Sequence, residues 1–216
     1  MDDPPARSSA RATYDRIAAH FSRTRAHPWP EVESFLADCE GGALGLAVGC
    51  GNGRHVAPLA AVTDRVLALD ASRGLLDAAR ERVAADGVAG ATILLQGDAV
   101  SLPLRSGSVA VALYVATLHH LPDRDARVAS LDDLARVLAP GGRALVSAWS
   151  TAHDRFDAEA GFDTRLDWTL PDGETVPRFY HVYDPAEFRA DLGASALVPV
   201  DVFVSSGNCY AVVTAE

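Results

Sequence analysis

The feature that most constrains the fold is the apolar run over residues 43–48, which leads directly into the glycine-rich turn Gly49-Cys50-Gly51-Asn52-Gly53. A short uninterrupted apolar run predicts a strand that is buried on both faces of a sheet. A glycine-rich turn after such a strand, with a helix beginning near Gly53, is typical of the first βα unit of a doubly wound sheet. We therefore expect an α/β fold that binds a ligand at this turn.

The same alternation of strands and helices continues along the chain. Strands are predicted over residues 65–69, 91–96, 109–115 and 143–149, and helices over residues 74–85 and 124–138. A further helix, residues 185–192, precedes two strands, 197–205 and 208–214, that Ser206-Gly207 joins as a hairpin. Because crossovers between parallel strands are right-handed, these elements predict a Rossmann-like, doubly wound, seven-stranded sheet. It should be mostly parallel, with one antiparallel strand and helices on both faces.

The length of 216 residues, 49% of them hydrophobic, fits a single domain. Residues 1–40 are predicted as a helical N-terminal extension with helices over 7–21 and 31–39, and residues 41–150 as the ligand-binding half. Residues 151–184, rich in Asp, Pro, Gly and aromatic residues, are predicted as an insertion on the substrate side. Residues 185–216 then provide the closing helix and strands.

Composition excludes several classes of protein. No apolar run approaches the ~20 residues that cross a bilayer, and the first ten residues are polar rather than signal-like, which predicts a cytosolic protein. The cysteines Cys39, Cys50 and Cys209 form no CxxC pair. Neither a disulfide framework nor a zinc site is therefore predicted from them.

The charge pattern is unusual, because all 19 basic residues are arginines and the net charge is −10. This composition is typical of salt-loving archaea, where an acidic surface favours solubility and hydration. Residues 7–27 contrast with this acidic composition, because Asp15 is their only acidic residue. They contain seven arginines and histidines, namely Arg7, Arg11, Arg16, His20, Arg23, Arg25 and His27. This segment either binds an anionic ligand or is a solvated helix face.

Residues at the predicted strand ends suit one particular ligand. The spacing GxGxG differs from the GxGxxG turn that binds a pyrophosphate, yet it allows close backbone approach to a ligand without phosphate, such as S-adenosylmethionine. Asp70 ends the second strand, where a carboxylate can accept both ribose hydroxyls, although it could also cap the next helix. Asp98 ends the third strand, where it can accept the adenine amino group beside the N–H of Ala99.

In this order, the motifs of residues 40–150 resemble those of the class I S-adenosylmethionine-dependent methyltransferases. Two positions depart from that class, because Ala47 and Ala110 stand where acidic residues usually support the cofactor loop. We expect these departures to affect the affinity for the cofactor more than the type of reaction. The resemblance implies S-adenosylmethionine as cofactor. It also implies the binding residues Tyr14, Gly49, Gly51, Gly53, Asp70, Ala71, Asp98, Ala99, Val115 and His120.

A narrower resemblance begins at Tyr14-Asp15-Arg16-Ile17-Ala18 and extends to His27-Pro28-Trp29-Pro30. This segment is similar to the opening motif of the tRNA wobble-uridine carboxymethyl methyltransferases, a family that includes the methyltransferase domain of the AlkB-homologue tRNA enzyme. Further similar segments are Leu118-His119-His120-Leu121, Arg127, Arg178-Phe179-Tyr180-His181 and Asn208-Cys209-Tyr210. Phe179 and Cys209 depart from the family, which has Tyr and Trp there; Phe179 keeps a stacking face, whereas Cys209 loses a large ring.

The resemblance implies roles for individual residues. The implied catalytic residues are Arg25, His119, Arg127, Arg178, Tyr180 and His181, and the implied substrate-binding residues are Arg25, Trp29 and Tyr180. These residue types suit esterification of a carboxylate, which is ionised at neutral pH and needs positioning rather than a general base. An arginine can orient it through two hydrogen bonds, while an aromatic ring stacks on an extruded base.

Other interpretations of these residues stay open. His119-His120 could be a polar strand end or a contact with the cofactor; no metal site is predicted, because no carboxylate or Cys lies at ligand spacing. The Tyr-Asp-x-Ile-Ala opening also occurs in small-molecule methyltransferases, although the basic N-terminal segment favours tRNA. The two alanine departures leave a non-catalytic binding module as a further alternative, against which the retained glycines, Asp70 and Asp98 argue.

A protein partner is expected at the predicted strand over residues 91–96. In the strand order usual for this fold it lies at a sheet edge, yet it has no Pro, Lys or other charge to protect that edge from other chains. The family resemblance implies a small zinc-binding activator subunit that adds a strand there and forms a heterodimer. Neighbouring helices and loops could instead shield this edge within the monomer.

Overall fold

A computed structural model describes residues 7–215 of the chain, with side chains from Ala10 onward; residues 1–6 and the side chain of Arg7, used above, lie outside the described part. The strands are β1 (Gly42–Val48), β2 (Thr63–Asp70), β3 (Thr92–Gln96), β4 (Val109–Tyr114), β5 (Leu138–Trp149), β6 (Phe162–Thr169), β7 (Thr175–Val182), β8 (Leu197–Ser205) and β9 (Asn208–Ala215). The helices are α1 (Arg7–Thr24), α2 (Pro30–Ala37), α3 (Val56–Ala60), α4 (Arg73–Ala85), α5 (Arg124–Val137) and α6 (Pro185–Gly193), with 3₁₀ turns at Ala89–Ala91 and Leu118–His120. None of these helices is both long and apolar enough to span a membrane.

The larger of two sheets has the strand order β3-β2-β1-β4-β5-β9-β8. The first five strands in this order pair in parallel, and β9 runs antiparallel to both of its neighbours. This confirms the predicted Rossmann-like sheet of seven strands with one antiparallel strand. The strand order reverses between β1 and β4, and ligands of such sheets bind at the carboxyl ends of the strands beside that point.

Helices cover both faces of the larger sheet, as predicted. On one face α5 and α6 bury Leu134 and Phe188 against the strands. On the other face α2 and α3 bury Phe35 and Leu59. Because successive strand residues point to opposite faces, the central strands contribute to both cores and are apolar almost throughout. Each such Leu or Phe contributes about 1.5–3 kcal/mol through its burial.

The segment predicted as an insertion, residues 151–184, contains a second sheet that consists of β6 and β7 paired as an antiparallel hairpin. In β6, half-buried residues alternate with exposed charged residues such as Asp163 and Arg165. This period of two is the pattern of a strand with one covered face. It was missed because the segment contains no uninterrupted apolar run, which was the signal used for the other strands.

Strand β5 begins at Leu138, whereas the sequence predicts a helix over residues 124–138 and a strand only from residue 143. Leu138 pairs with Val109 and Arg143 with Val111, so residues 139–142 form an irregular segment at the register shift between these two pairs. Gly141 has a φ of +77°, and a Cβ at Gly142 would lie 2.6 Å from the carbonyl oxygen of Val109. Glycine tolerates both constraints, which allows the irregular segment to fit between the two paired positions.

Candidate active site

A cavity of about 620 Å³ lies at the carboxyl ends of β1, β2, β3 and β4, beneath α1. Its position is the one expected from the reversal of strand order. Most of the residues predicted to bind the cofactor line it, namely Tyr14, Gly49, Gly51, Asp70, Ala71, Asp98, Ala99 and His120.

Gly53 and Val115, which were also predicted to bind the cofactor, do not line this cavity. Gly53 has a φ of +79°, and a Cβ there would lie 3.2 Å from the Cβ of Ala79, so this glycine allows the turn to pack against α4. Val115 is buried in the core beneath α2 and α3. The departures Ala47 and Ala110 lie outside the cavity lining as well, packed in or against that same core. Neither departure therefore removes a group from the cavity wall.

The turn after β1 depends on glycines in the left-handed region. Gly49 and Gly51 have φ of +63° and +56°, and a Cβ at Gly49 would lie 2.1 Å from Oγ1 of Thr117. The N–H of Cys50 donates to the carbonyl of Leu69 at 2.9 Å, which ties the turn to β2. Burial raises the pKa of the Cys50 thiol well above its ordinary range, which keeps it unreactive. The turn thus presents backbone rather than side chains to the cavity.

Asp70 directs its carboxylate at the glycine turn from the end of β2. Oδ2 accepts the N–H of Gly51 and Oδ1 accepts the N–H of Ser72, both at 2.8 Å. Burial raises the pKa of Asp70 to about 6, against the opposing effect of these hydrogen bonds. A carboxylate offers about four lone-pair positions, so acceptor capacity remains for hydroxyl donors. The side chain that caps α4 is that of Ser72, which accepts the N–H of Leu75.

The end of β3 forms another part of the wall. Oδ1 of Asp98 accepts the N–H of Val100 at 3.1 Å, which closes a tight turn. Nε2 of Gln96 donates to the carbonyl of Ala71 at 2.9 Å and connects the ends of β2 and β3. Asp70 and Asp98 thus lie on adjacent parts of the cavity lining, each anchored by backbone N–H groups.

Helix α1 forms the roof of the cavity. Oδ1 of Asp15 accepts from Oγ of Ser72 at 2.7 Å and from the N–H of Gly74 at 3.0 Å, where α4 begins. Nδ2 of Asn52 donates to the carbonyls of Ser22 and Arg25 at 3.2 and 3.0 Å. The segment expected either to bind an anion or to be a solvated face therefore covers the cofactor turn. This roof function of Asp15 and Asn52 was not predicted from the sequence.

The 3₁₀ turn after β4 places two histidines next to the cavity. Nδ1 of His120 lies 3.0 Å from the carbonyl oxygen of Phe179, so this nitrogen carries the proton, and Nε2 accepts from the hydroxyl of Tyr14 at 2.9 Å. Nδ1 of His119 accepts the N–H of Trp149 at 2.9 Å, which leaves the proton of the neutral ring on Nε2. Each tautomer is inferred from these partners.

The hairpin of β6 and β7 brings Arg178 and Tyr180 against these histidines. The Tyr180 ring centroid lies 5.1 Å from that of His119 and 4.8 Å from that of His120. The guanidinium of Arg178 lies 5.2 Å from the centroid of Tyr180 and 4.7 Å from that of Trp168. Its Nε is buried and has no hydrogen-bond partner among the described residues. Trp168, which the sequence analysis missed, would have been found from the alternating pattern of β6.

Burial controls the protonation of this cluster. It lowers the pKa of His119 well below its ordinary value, helped by His120, Arg178 and His181, and it lowers the pKa of His120 to about 4. Burial, together with Tyr180, raises the pKa of Tyr14, whose hydroxyl is within hydrogen-bonding reach of Tyr180 and Arg178. At neutral pH the imidazoles of His119 and His120 are therefore uncharged, and the guanidinium of Arg178 carries the positive charge of the cluster.

Arg25 lies at the border of this cluster. Its guanidinium is 5.5 Å from the centroid of Phe21, which lines the cavity, and 5.6 Å from that of Trp168. The structure thus brings Arg25, His119, Arg178 and Tyr180 next to Phe21 and His120 of the cavity lining, although none of the four belongs to the lining itself. Arg25 directly follows α1, His119 lies in the 3₁₀ turn after β4, and Arg178 and Tyr180 lie on β7.

Trp29, Arg127 and His181 lie outside the cavity lining. Trp29 packs against Arg54 and Tyr210. His181 lies between two carboxylates, with Nδ1 at 2.7 Å from Asp163 and Nε2 at 2.9 Å from Glu187. Arg127 is buried beside Glu187 and Asp191, at 3.7 and 3.6 Å. His181 and Arg127 therefore join the hairpin, α5 and α6 in one ion-pair network instead of facing the cavity.

Residues 46–146 match a family model described as a methyltransferase domain. The chain is 37% identical over 137 residues to the tRNA (carboxymethyluridine(34)-5-O)-methyltransferase alkbh8 of Xenopus tropicalis, an alignment that covers 63% of this chain and 20% of the Xenopus protein. A putative methyltransferase of Encephalitozoon cuniculi is 31% identical over 192 residues, which cover 85% of each chain.

Solved structures share the fold over nearly the whole chain. The DhpI–SAH complex superimposes with a TM-score of 0.73 at 23% identity and covers 97% of both chains. A chain of the complex between the Haloferax volcanii Trm112 methyltransferase activator and the putative methyltransferase has a TM-score of 0.67 at 17% identity, covering 94% of this chain and 97% of that one. At these identities the likeness concerns the fold.

Proposed function

Because this chain belongs to the S-adenosylmethionine-dependent methyltransferases, we propose that it esterifies a carboxymethyl group on the wobble uridine of tRNA. The observation that carries the proposal is the set of donors beside the cavity. The guanidinium of Arg178 and the ring of His119 pack against Tyr180, which in turn contacts His120 of the cavity lining. Nε of Arg178 is buried and has no hydrogen-bond partner among the described residues. A buried donor cluster beside the cavity, with one arginine that has no acidic partner among the described residues, favours an anionic acceptor.

The cavity fits the cofactor of this family. The glycine turn leaves room for close backbone approach, Asp70 would hold the ribose hydroxyls, and Asp98 would hold the adenine amino group. When bound, S-adenosylmethionine supplies an electrophilic methyl group. Tyr14 and His120 belong to the lining and His120 contacts Tyr180, so the donor cluster adjoins the space of the cofactor.

The chain's own residues have three tasks in this reaction. Arg178 orients the acceptor carboxylate through its planar fork, and Tyr180 donates a further hydrogen bond. The neutral histidines hold Tyr14 and the backbone of Trp149 and Phe179 in place, without adding cations that would lower the nucleophilicity of the carboxylate. Helix α1 excludes water from above, which strengthens each of these interactions. No residue needs to remove a proton, because the nucleophile is already ionised.

The proposal is tested by incubating the purified protein with isotope-labelled S-adenosylmethionine and total tRNA, followed by mass spectrometry of the digested nucleosides. We expect label in a modified wobble uridine, and mild alkali should release it, since esters hydrolyse and methylated bases do not. Binding of the cofactor without tRNA labelling would contradict the proposal and would favour a small-molecule acceptor. Arg178→Gln, which should label tRNA much more slowly, serves as the reference variant.

The proposal includes a small zinc-binding activator that docks at β3, in the cytoplasm where tRNA is modified. β3 is an edge strand, as predicted, and Ile93 on it is 51% exposed, so other parts of the described chain do not shield this side chain. Leu94 and Leu95 instead pack partly against the two cores. The Haloferax volcanii complex, with its activator, supports such an assembly.

Ile93→Asp is therefore the appropriate test of this partner. It should abolish co-purification with a co-expressed activator, because pairing would bury a charge at the edge. Val204→Asp, on the opposite edge strand and 45% exposed, is the matched control and should co-purify normally. Co-purification of Ile93→Asp at one-to-one stoichiometry would place the partner elsewhere.

We also infer that the protein works at high salt. The absence of lysine and the net charge of −10 support this inference. The melting temperature should rise as KCl is increased to molar concentration. A melting temperature that does not change with KCl would contradict it.

A further inference from the structure

A group of arginines borders the substrate side outside the cavity. We name Arg25, Arg54 and Arg82 the basic rim. The guanidinium of Arg54 lies 4.6 Å from the centroid of Trp29, on the outer side of the glycine turn. Arg25 connects this rim to the cavity through its contact with Phe21. The rim is a positive region on a chain whose net charge is −10.

Arg54 is largely buried without an acidic partner among residues 10–215. Burial lowers its pKa to about 10, with Arg25 and Arg82 acting in the same direction and only Tyr210 opposing them. The pKa of the neighbouring His55 is lowered to about 3 by burial, Arg54 and Arg82. The carboxylate on this side, Glu31, is engaged by hydroxyl groups of β8 and the turn that follows, Ser205 at 2.6 Å and Ser206 at 3.1 Å. A buried cation without a counter-charge is costly, so an external anion would stabilise this arrangement.

The basic rim is held rigidly in position. Arg82 on α4 donates to the carbonyl of Ala26 at 2.7 Å and to that of Arg25 at 3.3 Å. Asn52 in the glycine turn donates to the same carbonyl of Arg25 at 3.0 Å. A cation–π contact holds the guanidinium of Arg54 over the ring of Trp29. Pre-ordered forks of this kind lose little entropy when they bind an oxyanion.

We propose that the basic rim binds a backbone phosphate of the RNA whose base enters the cavity. The inference rests on the proposed function, since it requires an RNA acceptor. Planar guanidinium groups match the two non-bridging oxygens of a phosphodiester, and Arg25 adjoins both rim and cavity. A contact of this type is short and partly desolvated, so it persists at high salt, where long-range attraction is screened.

The test measures binding of an unmodified anticodon stem–loop RNA at low and high KCl. Arg54→Gln should weaken binding at least about tenfold and reduce the slope of log affinity against log salt by about one. Arg54→Lys should recover only part of the affinity, because it keeps the charge without the fork. Arg105→Gln, an exposed arginine that precedes β4 at the opposite end of the strands, is the matched control. All variants should keep the wild-type affinity for S-adenosylmethionine, which reports correct folding.

Two results would overturn the inference. If wild type and a folded Arg54→Gln have the same RNA affinity and salt slope, the phosphate contact at Arg54 is ruled out. The proposed function still stands in that case, because tRNA methylation is measured separately. Failure of the wild type to bind RNA at low salt would also overturn it. In that second case the tRNA labelling assay decides separately whether the proposed function fails as well.

Discussion

The two sides of the cavity are built in different ways. On the cofactor side, Gly51, Asp70 and Asp98 lie at or just after strand ends. Asp70 accepts the N–H of Gly51 in the neighbouring turn, and Asp98 accepts the N–H of Val100 in its own turn. On the substrate side, Arg178 and Tyr180 are positioned by a separate hairpin and by contacts with α1 and the turn after β4. The first side depends on the sheet, whereas the second depends on how three distant segments pack. Mutations on the two sides should therefore affect separate steps.

The largest effect should come from Arg178→Gln. If the guanidinium holds the acceptor carboxylate, the loss of a charge-assisted hydrogen bond removes about 1.5–3 kcal/mol, which lowers methyl transfer by up to roughly 100-fold. The affinity for S-adenosylmethionine should stay within about twofold, because Arg178 is not part of the cavity lining. Single-turnover transfer and calorimetry measure the two quantities.

Arg155→Gln is the control for this variant. Arg155 is exposed in the segment that precedes β6, so its replacement removes the same charge from the same region. It should leave transfer unchanged. Equal losses in cofactor affinity and transfer for Arg178→Gln would show that the two sides are not separable.

The cofactor side was the more predictable one, because its residues follow from local patterns. Gly49 follows an apolar run, and Asp70 and Asp98 follow the next two, so three short strand predictions sufficed to place all of them at one sheet edge. The exact end of each strand mattered little, since the turn residues themselves mark it. Gly53 and Val115 were expected to contact the cofactor as well. In the structure Gly53 packs against α4 and Val115 lies in the core.

The substrate side could not be assembled in this way. The hairpin of β6 and β7 has a weak alternating pattern, and its position over the cavity depends on His181 pairing with Asp163 and Glu187. These contacts join residues of three elements, which no local pattern reveals. The family resemblance identified Arg178 and His181 as members of one motif, but only the fold separates Arg178, which packs on Tyr180 beside the cavity, from His181, which supports the hairpin.

Asp70→Asn should affect cofactor binding and little else. Removal of the charge should cost about 1.5–3 kcal/mol of S-adenosylmethionine affinity, while the saturated transfer rate changes less. The pKa of about 6 adds a pH dependence to the wild type, since the ionised carboxylate accepts the ribose hydroxyls better. Affinity should fall by roughly tenfold between about pH 7 and pH 5, where about a tenth of Asp70 is ionised. Calorimetry at several pH values measures it.

The same group predicts the sign of a stability change in the free protein. Because burial raises the folded-state pKa of Asp70, the stabilisation that its neutral form provides is complete below about pH 4 and is lost as the pH rises through about 6. Asp70→Asn should remove this part of the pH dependence of stability.

The ligand measurement has its own contradicting outcome. If the affinity of the wild type for S-adenosylmethionine does not vary between about pH 5 and pH 7, the assignment of Asp70 to the ribose is wrong.

Tyr14→Phe tests the point at which the two sides meet. Its hydroxyl donates to His120 and reaches Tyr180 and Arg178, while α1 covers the cofactor turn. The loss of one neutral hydrogen bond costs about 1 kcal/mol, so cofactor affinity and transfer should both fall about fivefold. Tyr14 should therefore be the residue whose replacement affects both measurements. A change in only one of them would assign α1 to that side alone.

The smallest effect should come from Asp163→Asn. Its carboxylate holds Nδ1 of His181, but it is 53% exposed, and such pairs contribute about 0–1 kcal/mol. Glu187 on α6 still holds Nε2 of the same ring, so the hairpin should stay in place, and transfer should fall less than about threefold. Amide hydrogen exchange should become faster within residues 162–182 and stay unchanged within residues 63–70, because the hairpin depends on side-chain pairs and β2 does not. Faster exchange in both segments would show that the hairpin and the central sheet open together, and the distinction between the two sides of the cavity would then not extend to their stability.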